Sequence, residues 1–211
     1  MNHDVILLVI VSAAYISIAL ELALVHVPSV ASNVSIWRAK KELTNSYSAS
    51  YQRIFLLAKP LKILLFLPLL GVYFVFLLPF LLMLDLIQLP LNPAIQMNAM
   101  TFSLGVFFIV LGRCITLSSV YSIRQNNSQH GEDFTLHTTK VFRNSRNPTQ
   151  LGMYTFYFGI VVSLGSVWLL LGLFYYIAYM HVKIKMEEDF LLHKYGDAYQ
   201  HYMHKTGRYW S

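Results

Sequence analysis

Residues 151–184 read LGMYTFYFGIVVSLGSVWLLLGLFYYIAYMHVKI, 34 residues that are apolar almost throughout. A helix rises 1.5 Å per residue, so about 20 residues cross the roughly 30 Å of hydrocarbon in a bilayer. The stretch is too long for one upright span and short for two full ones. Ser163-Leu164-Gly165-Ser166 lies inside it and offers turn residues. The expected structure is therefore a tight hairpin: a short helix, a turn at 163–166, and a longer helix running on through Met186.

Three further apolar runs lie upstream. Val5 to Val27 is broken only by Glu21 and His26, Ile63 to Leu89 contains Pro68, Pro79 and Asp85, and Ile95 to Leu117 carries Arg113 near its end. Prolines are tolerated in membrane helices, usually with a kink. The fold class expected is an all-α integral membrane protein of five transmembrane segments, the last two a tight hairpin, followed by a C-terminal interfacial amphipathic helix. Composition agrees: 56% of the 211 residues are hydrophobic and 12% charged, where a soluble domain carries about a quarter charged residues. That excludes a disordered chain and argues against a soluble enzyme. Residues 1–211 read as one membrane domain. Residues 1–121 hold three N-terminal spans with a basic loop at 28–62, and 122–211 hold the expected hairpin with its flanking polar stretches and tail. No internal repeat is visible.

Charge fixes the orientation. Formal net charge is +6, a surplus that could suggest nucleic acid but in so apolar a chain marks cytoplasmic loops. Arg38, Lys40, Lys41, Arg53, Lys59 and Lys62 fall in the segment 28–62. Arg124, Lys140, Arg143 and Arg146 fall in 121–150, and Lys183, Lys185, Lys194, Lys205 and Arg208 in the tail. Asn2 to Asp4 and Pro90 to Ala94 carry no Lys or Arg. The expected scheme is a multi-pass protein of a bacterial inner membrane or an endomembrane, N-terminus outside, both long loops and the C-terminus cytoplasmic. MNHD lacks the basic start of a cleaved signal peptide, so the first run reads as a retained helix. The one cysteine, Cys114, can form no internal disulfide and reads as core packing.

Polar residues gather in two places, just before the expected hairpin and just after it. A hairpin returns the chain to the side it left, so these stretches should meet at the cytoplasmic face. In them stand R-N-P-x-x-x-G at Arg146 to Gly152, E-E-x-x-L at Glu187 to Leu191, and Y-G-x-x-Y-x-x-Y at Tyr195 to Tyr202. Together, in this order and across an apolar hairpin, they resemble the isoprenylcysteine carboxyl methyltransferase and phospholipid methyltransferase superfamily. The family pattern is T-x-G-x-Y-x-x-x-R-[HN]-P-x-Y-x-G, then E-E-x-x-L-x-x-x-F-G-x-x-Y-x-x-Y. The resemblance covers about Leu136 to Trp210. Lys140 stands at the usual glycine, and Phe142 and Gln150 stand at the usual tyrosines.

The resemblance implies S-adenosylmethionine as cofactor and a lipophilic methyl acceptor. By position it assigns the cofactor to Phe134, Thr135, Leu136, His137, Phe142, Asn147, Pro148, Thr149, Gln150 and Glu187. A carboxylate such as Glu187 suits an ammonium or a ribose diol. The start of the hairpin helix, beside Arg146 and Asn147, suits an anion. Lys183, four residues before Glu187 and on its helix face, falls where relatives have an acceptor-orienting cation; it reads equally as a snorkelling lysine. Arg146 or Lys183 would hold a carboxylate acceptor. An amine or thiol must lose a proton, and Glu188 or His137 would be its base. The favoured activity is carboxyl methylation of a prenylated cysteine or similar lipid-like acid. Methylation of a phospholipid amine or small thiol is the alternative, followed by a sterol-type NADPH-dependent membrane reductase and a non-enzymatic membrane subunit. Expected partners are the bilayer and a lipophilic small molecule or prenylated substrate, without nucleic acid or metal. Tyr195, Tyr199 and Tyr202, at helical spacing, read as an interfacial aromatic belt. Arg113 and Glu21 are candidates for a pair.

Overall fold

The computed structural model describes residues 3–31, 59–87, 98–130, 136, 138 and 140–210. Much of the basic segment 28–62, the 90–94 link, and Phe134, Thr135 and His137 lie outside the described residues. The elements are α1 (His3–Ala31), α2 (Lys59–Met83), α3 (Ala99–His130), a 3-10 turn (Lys140–Arg143), α4 (Pro148–Leu164), α5 (Val167–Tyr195) and α6 (Asp197–Lys205). Among the described residues there is no strand.

Much of the apolar surface of these helices points outward. The stretches Ala99–Ile123 of α3 and Val167–Asp189 of α5 are long and apolar enough to cross a membrane, and only 28% and 33% of their apolar windows are buried. Val9, Leu20, Tyr73, Phe107 and Phe174 point outward. An apolar surface this extensive on a soluble monomer would be an aggregation hazard; in lipid it is the normal exterior. The described parts of α1 and α2 give shorter apolar helices, Val5–Leu20 and Leu70–Met83. α3 runs past the expected end at Leu117 through polar residues to His130, so the first part of the expected 121–150 loop is helical.

A buried backbone polar group needs a partner, and α2 shows how that is met around proline. Pro79 has no N–H, which orphans the carbonyl of Val75 one turn back. The Tyr157 hydroxyl of α4 donates to that oxygen at 2.6 Å. Tyr15 of α1 donates to the Phe76 carbonyl at 2.9 Å, and Tyr175 of α5 to the Pro68 carbonyl at 2.7 Å. Gly71 makes room for the Tyr175 ring. Around these contacts Tyr15, Phe76, Phe80, Phe156 and Tyr176 pack edge to face or tilted.

α3 and α4 approach backbone to backbone. Gly105 and Gly112 on α3 meet Gly159 and Gly152 on α4: a Cβ on Gly159 would come 2.6 Å from the Gly105 carbonyl oxygen, and one on Gly152 would come 2.8 Å from that of Gly112. Small residues permit such approaches in membranes. At the α4 start, Ser119 of α3 hydrogen-bonds Thr149.

α4 and α5 are joined by Gly165, left-handed at φ 61°, and Ser166 alone. They touch through the Tyr154 and Tyr176 rings and through the Tyr176 hydroxyl, which donates to Gln150 Oε1 at 3.1 Å. Two expectations need correction. Tyr199 and Tyr202 do not form an exposed belt: they are 2% and 7% exposed, because α6 turns inward at Gly196 (φ 50°) and Tyr202 donates to the Phe142 carbonyl at 2.6 Å. Cys114 is exposed on α3 rather than packed in a core. Buried Arg113 donates to Ser17 Oγ at 2.6 Å; the side chain of Glu21 lies outside the described residues.

Candidate functional site

Where α3, α4, α5 and α6 converge there is a cavity of about 400 Å³, within the roughly 300–1,000 Å³ usual for small-molecule sites. Ile123 closes it from α3, and Leu136 and Phe142 from the segment before α4. Arg146, Asn147, Pro148, Thr149 and Gln150 form the wall at the start of α4, and Glu187, Leu191 and Tyr195 the wall from α5. Tyr199 and Tyr202 of α6 complete it.

Local chemistry explains why the chain turns here. Pro148 opens α4 at its first turn, where its missing N–H costs nothing. Asn147 stands at the N-cap yet makes no side-chain cap; its amide instead donates to the Arg208 carbonyl at 3.1 Å. The first N–H groups of a helix have no intrahelical partner, so the α4 wall presents the positive end of the helix to the cavity. Lys140 adopts φ 57°, the left-handed region glycine occupies most easily. That accounts for the glycine the family pattern has at this place. The lysine donates to Gln125 Oε1 and lies 5.7 Å over the Tyr121 ring.

Behind the α4 wall lies an ion cluster. Glu188 Oε2 accepts from Arg208 Nε at 2.9 Å and Nη2 at 2.6 Å, while Oε1 lies 3.3 Å from Arg146 Nη2. The Glu188 and Arg146 side chains are 6% and 8% exposed. Two guanidiniums against one carboxylate leave one positive charge in excess beside the cavity. Burial, and secondarily the Glu188 carboxylate, push the Tyr199 hydroxyl up to about 12, with Arg146 and Arg208 opposing. Burial likewise raises Tyr202. Hydrogen bonding to Glu188 raises Arg208.

Seven of the residues assigned to the cofactor by resemblance line this one cavity: Leu136, Phe142, Asn147, Pro148, Thr149, Gln150 and Glu187. Phe134, Thr135 and His137 lie outside the described residues. Arg146 also lines it. The other two candidates for catalysis do not. Lys183 is half exposed and lies 3.4 Å from Glu187 Oε1, a rim ion pair four residues apart. Glu188, a candidate base, is absent from the cavity lining and is engaged by two arginines. Sequence reasoning missed Ile123 and Arg208, for which no pattern gave a signal. Tyr195, Tyr199 and Tyr202 were visible in their motif but assigned to the wrong surface.

Among the described residues the fold is all-helical, with two helices long and apolar enough to cross a membrane, and polar residues from both sides of an apolar helix pair enclose a ligand-sized cavity. Residues 100–198, from α3 to the start of α6, match the model of the phospholipid methyltransferase family, in keeping with the superfamily that the sequence motifs resemble. No curated protein and no solved structure matches the chain.

Proposed function

We propose that the protein transfers a methyl group from S-adenosylmethionine to a lipophilic acceptor at the cytoplasmic face of a membrane. The observation that carries this reading is the convergence of Arg146–Gln150 and Glu187–Tyr202 on one cavity. The cavity suits the cofactor's chemistry. Glu187, half exposed at the rim, offers a carboxylate to an ammonium or a ribose diol. The open N-terminus of α4 and the excess positive charge at Arg146 suit a carboxylate. Phe142, Leu191 and Tyr195 give apolar surface for a base. The resemblance assigns Phe134, Thr135 and His137 to the same cofactor.

The cofactor supplies an electrophilic methyl on a sulfonium. The chain's task is to align the acceptor and exclude water. In the proposed topology five helical segments span the bilayer, α4 and α5 as a hairpin entered from the cytoplasm, with the N-terminus outside. The acceptor's apolar part enters from the lipid and its head reaches the cavity. A prenylcysteine carboxylate needs no base and would meet Lys183 at the rim. A phospholipid amine must shed a proton, and with Glu188 committed to two arginines His137 is the remaining candidate. The phospholipid reading gains from the family matched.

Calorimetry in detergent should show S-adenosylhomocysteine binding to the intact protein, and Glu187→Ala should weaken it at least tenfold, the loss of one charge-assisted hydrogen bond. Radiolabelled methyl transfer into a panel of prenylcysteines, phospholipids and thiols then identifies the acceptor. Binding of NADPH without S-adenosylhomocysteine would replace this reading with a reductase.

A further inference from the structure

The last residues of the chain are stitched to the cavity wall. The Arg146 backbone N–H donates to the Gly207 carbonyl at 3.0 Å. Ser145 Oγ and the Asn147 side-chain amide both donate to the Arg208 carbonyl, at 3.4 and 3.1 Å. Thr206 Oγ1 donates to the Arg143 carbonyl at 3.3 Å. On the other side, the Arg208 guanidinium forks onto Glu188, and the Tyr209 hydroxyl lies 2.8 Å from His181 Nδ1. His181 and Glu188 are seven residues apart, two turns of α5, and share a face. Residues 206–209 therefore run along α5 and tie it to the loop that opens α4.

We propose that this segment is a strap that positions the α4 wall of the cavity, and that Arg208 is its positioning residue, acting through Glu188 on Arg146. The proposal rests on the cofactor reading above. Two consequences of the strap bear on ligand binding. First, it draws off the Asn147 amide that would otherwise be free to turn toward the helix end, which leaves the N–H groups of the first turn of α4 without a capping side chain. Second, Arg208 takes Glu188 Oε2 through two nitrogens, so Glu188 holds Arg146 by its other oxygen alone, at 3.3 Å. Without Arg208 the buried carboxylate has one cation left, closes onto Arg146 with both oxygens, and draws the guanidinium off the wall while cancelling its charge.

The test uses the full chain in detergent, with S-adenosylhomocysteine affinity read by calorimetry and amide hydrogen exchange at Arg146 and Asn147 read without ligand. Arg208→Gln should weaken binding by roughly tenfold or more and speed exchange of the Arg146 amide. Arg208→Lys should fall between, because an ammonium cannot make the forked contact. Arg146→Gln combined with Arg208→Gln should bind no more weakly than Arg146→Gln alone, since the two act as one unit. Tyr157→Phe, which removes the hydroxyl bonded to Val75 far from the cavity, controls for stability: it should lower the melting temperature and leave affinity unchanged. Wild-type affinity in Arg208→Gln, losses that multiply in the double variant, or unchanged exchange at Arg146 would each overturn the strap. If the wild type binds no S-adenosylhomocysteine, the cofactor reading fails; the exchange measurement still decides whether Arg208 holds Arg146 in place.

Discussion

Gly159→Ala and Gly172→Ala add the same methyl group to two helical glycines, and the structure gives them opposite outcomes. At Gly172 the new Cβ would meet Val75 Cγ1 at 3.3 Å and the Tyr157 hydroxyl at 3.4 Å. Those are tight contacts that a side chain can relieve by a few tenths of an ångström. At Gly159 it would meet the Gly105 carbonyl oxygen and the Ile109 backbone nitrogen, both at 2.6 Å. Neither atom can swing aside, so α3 and α4 must separate. Separation cannot stay local, because Gly112 and Gly152 make the same approach two turns away. Overpacking of this kind costs roughly 1–3 kcal/mol, while replacing a helical glycine by alanine returns up to about 1 kcal/mol. The net expectation is a loss of about 1–2 kcal/mol for Gly159→Ala and a gain of a few tenths for Gly172→Ala. For a chain of this size 1 kcal/mol moves the melting temperature by about 2–4 °C, so the two variants should differ by roughly 3–8 °C. Thermal unfolding in detergent, followed by tryptophan fluorescence, measures the difference. Gly159→Ala should also weaken S-adenosylhomocysteine binding, since Ile123 and Thr149, on facing walls of the cavity, are carried by the two helices forced apart. Equal melting temperatures would refute the backbone-to-backbone packing of α3 on α4.

Lys140→Gly should stabilise the protein by about 1 kcal/mol, because a non-glycine residue at φ 57° carries strain that glycine does not; a lower melting temperature would mean that the lysine's contacts to Gln125 and Tyr121 outweigh it. Alkali should loosen the C-terminal region in a defined window. An unfolded tyrosine loses its proton near pH 10, but folded Tyr199 holds its proton to about 12. Between these values the unfolded chain binds fewer protons, so stability is full below pH 10 and falls as pH rises toward 12. Denaturant titrations at pH 9 and 11.5 should show that fall, smaller in Tyr199→Phe; an equal fall in the two proteins would remove Tyr199 as its source.

Helix type and general placement were legible because the apolar runs are long and lipid permits little else. The turn at Gly165-Ser166 could be read from composition, and the meeting of 146–150 with 187–202 from hydropathy plus chain continuity. Other features were not legible, each for a physical reason. Hydropathy ends a helix where charge begins, but α3 continues to His130 because an existing helix extends at the cost of one residue's freedom per hydrogen bond. Helical spacing shows that Tyr195, Tyr199 and Tyr202 share a side of the tail; it does not show whether that side meets lipid or protein. Gly196 at φ 50° decides this by turning α6 back over the cavity. The bond from Tyr157 to the carbonyl freed by Pro79 links residues 82 apart, and no local pattern marks such a pair. Arg208 sits outside any motif, and its role follows only from where the strap runs.

The adjacent glutamates show how much one residue step on a helix decides. Consecutive side chains are about 100° apart around the axis, so Glu187 and Glu188 cannot serve the same site. Glu187 is 53% exposed at the cavity rim and pairs with Lys183 four residues back; an exposed pair of this kind contributes little to stability, which leaves the carboxylate available to a ligand. Glu188 is 6% exposed and pairs with guanidiniums from two distant parts of the chain. Removing a buried carboxylate leaves its partners uncompensated, at a cost of about 3–5 kcal/mol. Substitution at 187 should therefore appear as lost affinity in a folded protein, and at 188 as lost folding. In a sequence pattern the two letters look like one acidic feature. On the helix they are separate devices, one facing the cavity and the other holding its wall together.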